Sequence, residues 1–133
     1  MDPEARPEFV VRTGIDLVKL ADFARSLEQG GETFLRRLFH PSETAGASLE
    51  RLAGFFAAKE AAFKAMDLPK GDWHILEIRI DGEGRPAIVL SPNLETARPL
   101  TWDLSISHCG DYALASVVAI WPRAAAQSAY PTT

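Results

Sequence analysis

The sequence predicts an α+β protein, a single small domain in which a mainly antiparallel sheet packs against one long helix and shorter N-terminal helices. The long helix is indicated by residues 51–66, where alanine and long straight-chain side chains dominate. The sheet is indicated by one alternating apolar segment near the N-terminus and four more in the second half of the chain. At 133 residues, the chain is long enough to bury a core as one domain.

Composition excludes several classes of protein. Apolar residues make up 47% of the chain and charged residues 24%, which is ordinary for a globular protein. The net charge of −4 argues against a general nucleic-acid-binding protein. Cys109 is the single cysteine, so neither an internal disulfide nor a cysteine-based zinc site is available. Because the sequence has neither an apolar run of membrane-spanning length nor a signal-peptide pattern, we expect a cytoplasmic protein without a membrane partner.

The first predicted element, after a flexible tail at residues 1–8, is a strand over residues 9–18. Its period-2 alternation gives one mostly apolar face and a second face that carries Gly14 and Asp16. Gly14 allows another backbone or a ligand to come close. Asp16 stands where the strand should give way to a helix, so it is a candidate N-cap residue.

Two short helices are predicted next. The apolar spacing of residues 18–29 indicates an amphipathic helix, which Gly30-Gly31 ends. The second helix covers residues 32–39 and leaves Arg36 and Arg37 exposed to solvent.

The second half of the chain is predicted to be a run of strands. Asp81-Gly82 is its strongest hairpin signal. Residues 91–99 form either a loop or a short helix at 93–97. The last strand is nearly continuous in apolar residues, as in a strand that is covered on both faces. The predicted strands are residues 73–80, 85–90, 102–108 and 112–121, and residues 122–133 are expected to be a flexible tail.

The long helix carries the first candidate site residues, and Ser48 is its candidate N-cap. Glu60 lies about 40° from Phe56 around the helix, so its carboxylate faces the body of the protein. Lys64 follows one turn later on the same side. Two interpretations remain open, a helix-surface ion pair or a buried carboxylate that must be paired or bind a metal. The apolar stripe itself is about 60° wide and contains Leu49, Leu52, Phe56 and Phe63.

Three segments combine into one pattern. They are Gly14-Ile15-Asp16-Leu17-Val18, then Phe56-Ala57-Ala58-Lys59-Glu60-Ala61-Ala62-Phe63-Lys64-Ala65, then Leu104-Ser105-Ile106-Ser107-His108. In this order and spacing they resemble the 4′-phosphopantetheinyl transferases of the short holo-(acyl-carrier-protein) synthase type. The resemblance implies transfer of the 4′-phosphopantetheine arm of coenzyme A to a serine of an acyl or peptidyl carrier protein, a step of lipid biosynthesis.

The resemblance assigns a metal site and a catalytic lysine. It implies that Asp16 and Glu60 bind Mg²⁺ as the cofactor, and that Lys64 steadies or protonates the leaving group. These roles suit the residue types, because Mg²⁺ prefers oxygen ligands. A metal and a lysine can also neutralise the negative charge that grows on a diphosphate under attack. The N-cap and metal-ligand interpretations of Asp16 are compatible.

The resemblance also assigns the coenzyme A contacts. It implies that His108 touches a coenzyme A phosphate and that Lys59 and Ser107 belong to the same binding site. Taken without the resemblance, a lone histidine that ends an apolar strand face is more often a packed core residue. His108 shares that predicted face with Trp102, Leu104 and Ile106.

Partners follow from the resemblance as well. It implies a carrier protein, coenzyme A as substrate, and a homotrimer with the coenzyme A site between subunits. Arg25, Arg36 and Arg37 are the candidate residues for docking an acidic carrier. A solvated helix face explains Arg36 and Arg37 equally well.

The chain departs from the family pattern in three places. Phe55 stands where an arginine often meets a coenzyme A phosphate, and residues 67–71 replace the usual Gly-x-Gly loop. Asp22 and Glu28 dilute the positive charge of the first helix. These departures support an alternative, a catalytically weak relative that binds a carrier protein or coenzyme A without transfer. An unrelated small α+β binding domain is a further alternative.

Overall fold

Two antiparallel sheets and three α-helices make up the computed structural model, which describes residues 6–124. The predicted α+β class with a mainly antiparallel sheet is thereby confirmed. No helix in this part of the chain is both long enough and apolar enough to span a membrane. The elements are, in order, β1 (Phe9–Lys19), α1 (Leu20–Leu38), α2 (Pro41–Thr44), α3 (Leu49–Met66), β2 (Leu76–Ile80), β3 (Pro86–Leu90), β4 (Thr101–Cys109) and β5 (Tyr112–Pro122).

The larger sheet has β5 in its centre, with β1 and β4 on either side. The predicted hairpin forms the smaller sheet from β2 and β3, and Asp81 Oδ1 accepts hydrogen bonds from the Glu83 and Arg85 amides in its turn. The two sheets are linked by Trp102, whose Nε1 donates to the Ile88 carbonyl at 2.9 Å.

β5 is buried on one face only, so the expectation that both faces are covered is wrong for the single chain. Its inner face is covered by α3, and most of the side chains there are small, with Trp121 as the one large residue. The outer face has no second layer in one chain, and β1 extends the same apolar surface. The inner residues are Ala113, Ala115, Val117, Ala119 and Trp121. Six apolar residues of the outer face of β1 and β5 are 36% to 61% exposed: Phe9, Val11, Ile15, Leu17, Tyr112 and Leu114.

α3 begins after Ser48, whose side chain accepts a hydrogen bond from the Arg51 amide at 3.2 Å, which confirms the predicted N-cap. Its most deeply buried surface is not the predicted stripe of large side chains but its alanines, which are 0% exposed. Small side chains let the helix axis come close to the sheet. Most of the predicted stripe instead lies beside this contact, so Phe56, Glu60 and Phe63 are only half-buried.

The N-terminal helical region has the two predicted helical segments, which together form α1. α1 breaks at Gly31, where φ is 59° and ψ is −152°, a conformation that glycine adopts most readily. It begins at Leu20, after Lys19 in the N-cap position. Asp16 lies inside β1, so the expectation that it caps this helix is wrong.

One strand boundary differs from the expectations, because residues Trp73–Ile75 form a 3₁₀ turn rather than the start of a strand. Of the two alternatives for residues 91–99, the structure has the loop, without a helix at 93–97. Arg123 donates hydrogen bonds to the carbonyls of Glu8 and Pro7, so the chain ends are paired at these positions. The remaining parts of the two expected tails, residues 1–5 and 125–133, lie outside the described residues.

Candidate functional site

The crossing of β1 and α3 brings together Asp16, Glu60 and Lys64. Lys64 Nζ lies 3.5 Å from Asp16 Oδ1 and donates a hydrogen bond to the Ile15 carbonyl at 2.8 Å. Lys64 thus reaches from the helix to the strand and is held at two points. The side chain of Asp16 is 20% exposed and that of Lys64 is 54% exposed, so the group stands at the surface of a cleft.

The two carboxylates of this group are not compensated by the protein alone. Burial raises the pKa of Asp16, and the nearby ammonium of Lys64 only partly opposes that effect. Burial also raises the pKa of Glu60, and the negative charge of Asp16 raises it further, again against Lys64. Carboxylates arranged in this way can accept a cation between them, because a bound cation favours their charged forms.

These carboxylates are a pair rather than part of a larger cluster. Within residues 6–124 no group of three or more histidine, cysteine, aspartate or glutamate side chains is placed to hold a metal. A pair is nevertheless the usual protein contribution to a Mg²⁺ site, where water and substrate phosphates complete the coordination. Asp16 and Glu60 therefore fit Mg²⁺ better than a metal that needs an all-protein site.

A cavity of about 430 Å³ opens beside Glu60 and Lys64. Trp73 forms one wall, with its ring centroid 5.1 Å from that of Phe63 and 5.4 Å from that of Phe56. Lys70 brings a second ammonium to the cavity from the loop after α3. The sequence analysis missed Trp73 and Lys70 in this role, although both lie in the segment that departs from the family pattern or directly after it. The lining residues are Glu60, Phe63, Lys64, Asp67, Leu68, Lys70, Gly71 and Trp73.

His108, on β4, lies beside the N-terminal end of α3, away from Glu60 and Lys64. Its Nε2 donates to the Glu50 carbonyl at 2.8 Å, and the ring sits close above Gly54. Ten residues of one helix separate Glu50 from Glu60, which corresponds to about 15 Å along the axis. His108 and the carboxylate pair of the same chain therefore lie well apart along α3.

A second cavity, of about 280 Å³, adjoins His108. Phe55 is buried beneath it, and the guanidinium of Arg51 lies 6.0 Å from the centre of the Phe55 ring. Arg51 was missed in the sequence analysis, but its position four residues before Phe55 places it one turn away on the same side of α3. Positive charge is thus present near His108 even though Phe55 itself carries none. The lining residues are Ser48, Glu50, Arg51, Phe55, Ile80, Gly84, Pro86, Ile106 and His108.

Lys59 lies in the core, so the expectation that it contacts coenzyme A does not agree with its position. It is 0% exposed, and its ammonium donates to Glu43 Oε1 at 2.7 Å and to the Leu38 carbonyl at 2.8 Å. Burial lowers the pKa of Lys59, and Glu43 partly offsets this effect. Removing one partner of such a buried pair costs about 3–5 kcal/mol, because the other charge is left uncompensated. Lys59 therefore ties α3 to α1 and α2.

Ser107 and His108 point to opposite faces of β4, as neighbours on a strand do. His108 faces α3, whereas Ser107 is exposed on the outer face of the sheet. The structure therefore does not bring Ser107 to the cavity beside His108 in the same chain.

The three arginines predicted to dock a carrier are exposed. Arg25 lies 3.5 Å from Asp22, and Arg36 lies 3.3 Å from Glu32. Arg37 stands above the ring of Phe34 at 5.7 Å. Two of the three positive charges thus have acidic neighbours on their own helical segment.

Comparison with known proteins identifies the family. Residues 12–117 match the model of the 4′-phosphopantetheinyl transferase superfamily. The chain is 44% identical to the holo-[acyl-carrier-protein] synthase of Solidesulfovibrio magneticus over 115 residues, which cover 79% of this chain and 94% of that protein.

Two solved structures from Chronobacterium ammoniagenes agree in fold, each 32% identical in sequence. The apo synthase has a TM-score of 0.76 and covers 85% of this chain and 98% of its own. The synthase in complex with coenzyme A has a TM-score of 0.71, and the match covers 82% of this chain and 96% of that one. This chain therefore belongs to the 4′-phosphopantetheinyl transferase superfamily, as an enzyme of the short holo-[acyl-carrier-protein] synthase type.

Proposed function

We propose that the protein transfers the 4′-phosphopantetheine arm of coenzyme A to a serine of an acyl or peptidyl carrier protein in a Mg²⁺-dependent reaction. The observation that carries the proposal is the convergence of Asp16, Glu60 and Lys64 beside a cavity. In this reaction the serine oxygen attacks the diphosphate phosphorus that carries the pantetheine arm and gives up its proton to solvent. A serine O–P bond forms as the bond from that phosphorus to the bridging oxygen breaks, and 3′,5′-adenosine bisphosphate leaves.

Asp16 and Glu60 would hold the metal, which supplies positive charge to the diphosphate oxygens when it is bound. Lys64 stands beside them with its ammonium fixed by the Ile15 carbonyl, so it can stabilise or protonate the leaving phosphate. The nucleophile comes from the carrier, so this chain does not need to supply an attacking side chain. Its task is to position the substrates, neutralise the charge of the diphosphate and exclude water.

The coenzyme A site is proposed to lie between subunits of a homotrimer. The apolar outer face of β1 and β5 supports an assembly, because apolar surface of this extent is typical of interfaces. The separation of His108 from Glu60 supports a site in which the histidine comes from one chain and the carboxylate pair from the next. His108, with Arg51 near it, would then contact coenzyme A bound at a neighbour's Glu60.

The carrier is proposed to dock on the exposed arginines of α1. Arg36 and Arg37 lie together on its second segment, and Arg25 lies on the first. Because the chain has a net charge of −4, any attraction for an acidic carrier must be local.

Two observations favour a second candidate, a relative that binds coenzyme A or a carrier without transfer. Phe55 is buried and apolar where the family pattern has an arginine, and the loop after α3 contains Pro69 and one glycine. Arg51 and Lys70, which bring positive charge to the two cavities, weigh against this alternative.

The test is to incubate the protein with coenzyme A, Mg²⁺ and an apo carrier protein and to measure the mass of the carrier. Addition of the 4′-phosphopantetheine arm, lost when the metal is chelated, is the expected result. An unmodified carrier together with measurable coenzyme A binding would favour the second candidate.

A further inference from the structure

β1 and α3 touch backbone to backbone at Gly14. A Cβ atom at this position would lie 2.0 Å from the Ala61 carbonyl oxygen, 2.9 Å from its carbon and 3.0 Å from Lys64 Cβ. The first of these distances is shorter than any real contact, and the obstructing atom is main chain, which cannot rotate away. Even an alanine would force the strand and the helix apart by about 1 Å or more.

This contact lies between the groups that would bind the metal. Gly14 is two residues before Asp16 on the same face of β1, and Ala61 directly follows Glu60 on α3. Lys64, one turn beyond Glu60, donates to the Ile15 carbonyl between the two strand residues. Any displacement at Gly14 therefore changes the separation of Asp16 from both Glu60 and Lys64.

We infer that Gly14 is a positioning residue, whose contact with Ala61 sets the distance between Asp16 and Glu60 and thereby the affinity for a divalent cation. The inference rests on the proposed metal-dependent function. Two carboxylates on different elements can share one ion only if those elements are held at a fixed distance. Gly14 provides that fixed distance because no side chain separates the two backbones.

Gly54 offers a matched control on the same helix. A Cβ there would meet Ile106 Cγ2 at 3.0 Å and His108 Nε2 at 3.1 Å, which are side-chain atoms at the other end of α3. Substitution of Gly54 by alanine thus crowds the contact of α3 with β4 but leaves the Gly14 crossing alone.

The experiment measures Mn²⁺ binding to the full chain without substrate, by the loss of the free-ion signal in electron paramagnetic resonance. Mn²⁺ suits the same oxygen ligands as Mg²⁺. We expect Gly14→Ala to bind Mn²⁺ at least about tenfold more weakly, the size seen when groups that orient metal ligands are changed. Gly54→Ala should bind it as the unchanged protein does. Adding Asp16→Glu to Gly14→Ala should recover part of the affinity, because one more methylene reaches about 1.5 Å further.

Unchanged Mn²⁺ binding in folded Gly14→Ala, or an equal loss in Gly54→Ala, would overturn the inference. If Gly14→Ala does not fold, the single variant Asp16→Glu decides, since a fixed separation leaves no room for the longer side chain. A loss of about tenfold supports the inference, and unchanged binding overturns it.

Transfer to an apo carrier, measured on the unchanged protein, keeps the two proposals apart. Transfer without any Mn²⁺ binding would end the positioning role and leave the transferase standing. Mn²⁺ binding that depends on Gly14, in a protein that transfers nothing, would support the positioning role and contradict the proposed transfer activity.

Discussion

Glu60 is held in an environment that disfavours its own charge. Burial and the neighbouring Asp16 both raise its pKa, and Lys64 offsets them only in part. Such a carboxylate destabilises the metal-free fold at neutral pH and is stabilised when a cation arrives. Under the proposed metal-dependent function, the capacity of this site for a cation is obtained at the expense of stability, which is common where function requires unfavourable local charge.

The first prediction is that Glu60→Gln abolishes transfer and stabilises the metal-free protein. The amide is nearly isosteric but lacks the charge that Mg²⁺ requires. Because the folded pKa of Glu60 lies above its ordinary value of 4.5, the folded state binds the proton more tightly than the unfolded state does. The free energy of unfolding therefore falls as pH rises from near 4.5 through the folded pKa, and the glutamine variant escapes this loss.

We expect the glutamine variant to have the larger free energy of unfolding at pH 7 and the difference to disappear below about pH 4, measured by thermal or denaturant unfolding in the presence of a chelator. Near-normal transfer by Glu60→Gln at limiting Mg²⁺ would show that Glu60 is not a metal ligand.

Lys64 is predicted to act on the transition state more than on the bound substrate. Lys64→Ala should lower kcat by roughly 100-fold, as the loss of one preorganised charged donor does, and should change coenzyme A affinity much less. Lys70→Ala is the matched control, because Lys70 is a second lysine of the same cavity. Steady-state kinetics and coenzyme A binding by calorimetry separate the two effects. A loss confined to KM would instead make Lys64 an anchor for ground-state phosphate.

The residues of the carboxylate site were accessible to sequence analysis, whereas the buried lysine was not. Asp16, Glu60 and Lys64 were predicted from a helix angle and a family pattern, and the structure brings them together. The resemblance assigns Lys59 to the coenzyme A site, and Lys59 adjoins Glu60 in sequence. One step of 100° around the helix instead turns it into the core, toward Glu43 on α2. Nothing in the spacing along the sequence shows that a distant glutamate fills this position.

At the scale of elements, α3 organises the chain through its smallest side chains. Hydrophobic periodicity gave most weight to Leu49 and the phenylalanines, yet Leu49 is 40% exposed and the alanines are fully buried. Periodicity measures where large side chains lie, not how closely two backbones approach. Local sequence signals predicted the structure more accurately than periodicity did. Asp81-Gly82 lies in the hairpin turn and Gly31 breaks α1, as expected. Those features depend on the conformations that a few adjacent residues can adopt.

The second segment of α1 carries the prediction about docking. Replacing both Arg36 and Arg37 by Glu should raise the KM for the carrier several-fold and leave coenzyme A binding unchanged, since rim charges mainly govern association. The response of the rate to salt should flatten, because exposed charges are screened over about 8–10 Å at moderate ionic strength.

Arg79→Glu with Arg85→Glu, on the β2–β3 hairpin, is the control with the same change in net charge. An equal rise in the carrier KM in both double variants would make the effect one of total charge. No rise in either would move docking to another surface.

At the scale of the whole molecule, one chain presents an apolar sheet face, and its carboxylate pair and His108 lie toward different ends of α3. Phe9, Val11, Ile15 and Leu17 belong to the outer face of β1, where no other layer of the chain covers them. Alternation in the sequence correctly separated the two faces of this strand. It could not show which face turns to the chain's own core, because both a core and a subunit interface are apolar.

The last prediction tests whether the site is shared between subunits. Glu60→Gln and His108→Ala should each be nearly inactive alone. If each site takes its histidine from one subunit and its carboxylates from the next, random mixed assemblies contain about a quarter of sites with both groups intact. Mixing the two variants under conditions that allow subunit exchange should therefore restore about a quarter of the activity, measured by carrier modification.

Glu60→Gln mixed with Lys64→Ala is the matched control, because both changes lie in the same half of the site. Every subunit in that mixture lacks either Glu60 or Lys64. No half of a site can therefore contain both side chains, and activity should not return. Native mass spectrometry shows whether mixed assemblies form. If they form and activity returns in neither mixture, the whole site lies within a single chain. His108 would then act only through its hydrogen bond to the Glu50 carbonyl, as an anchor between β4 and the start of α3.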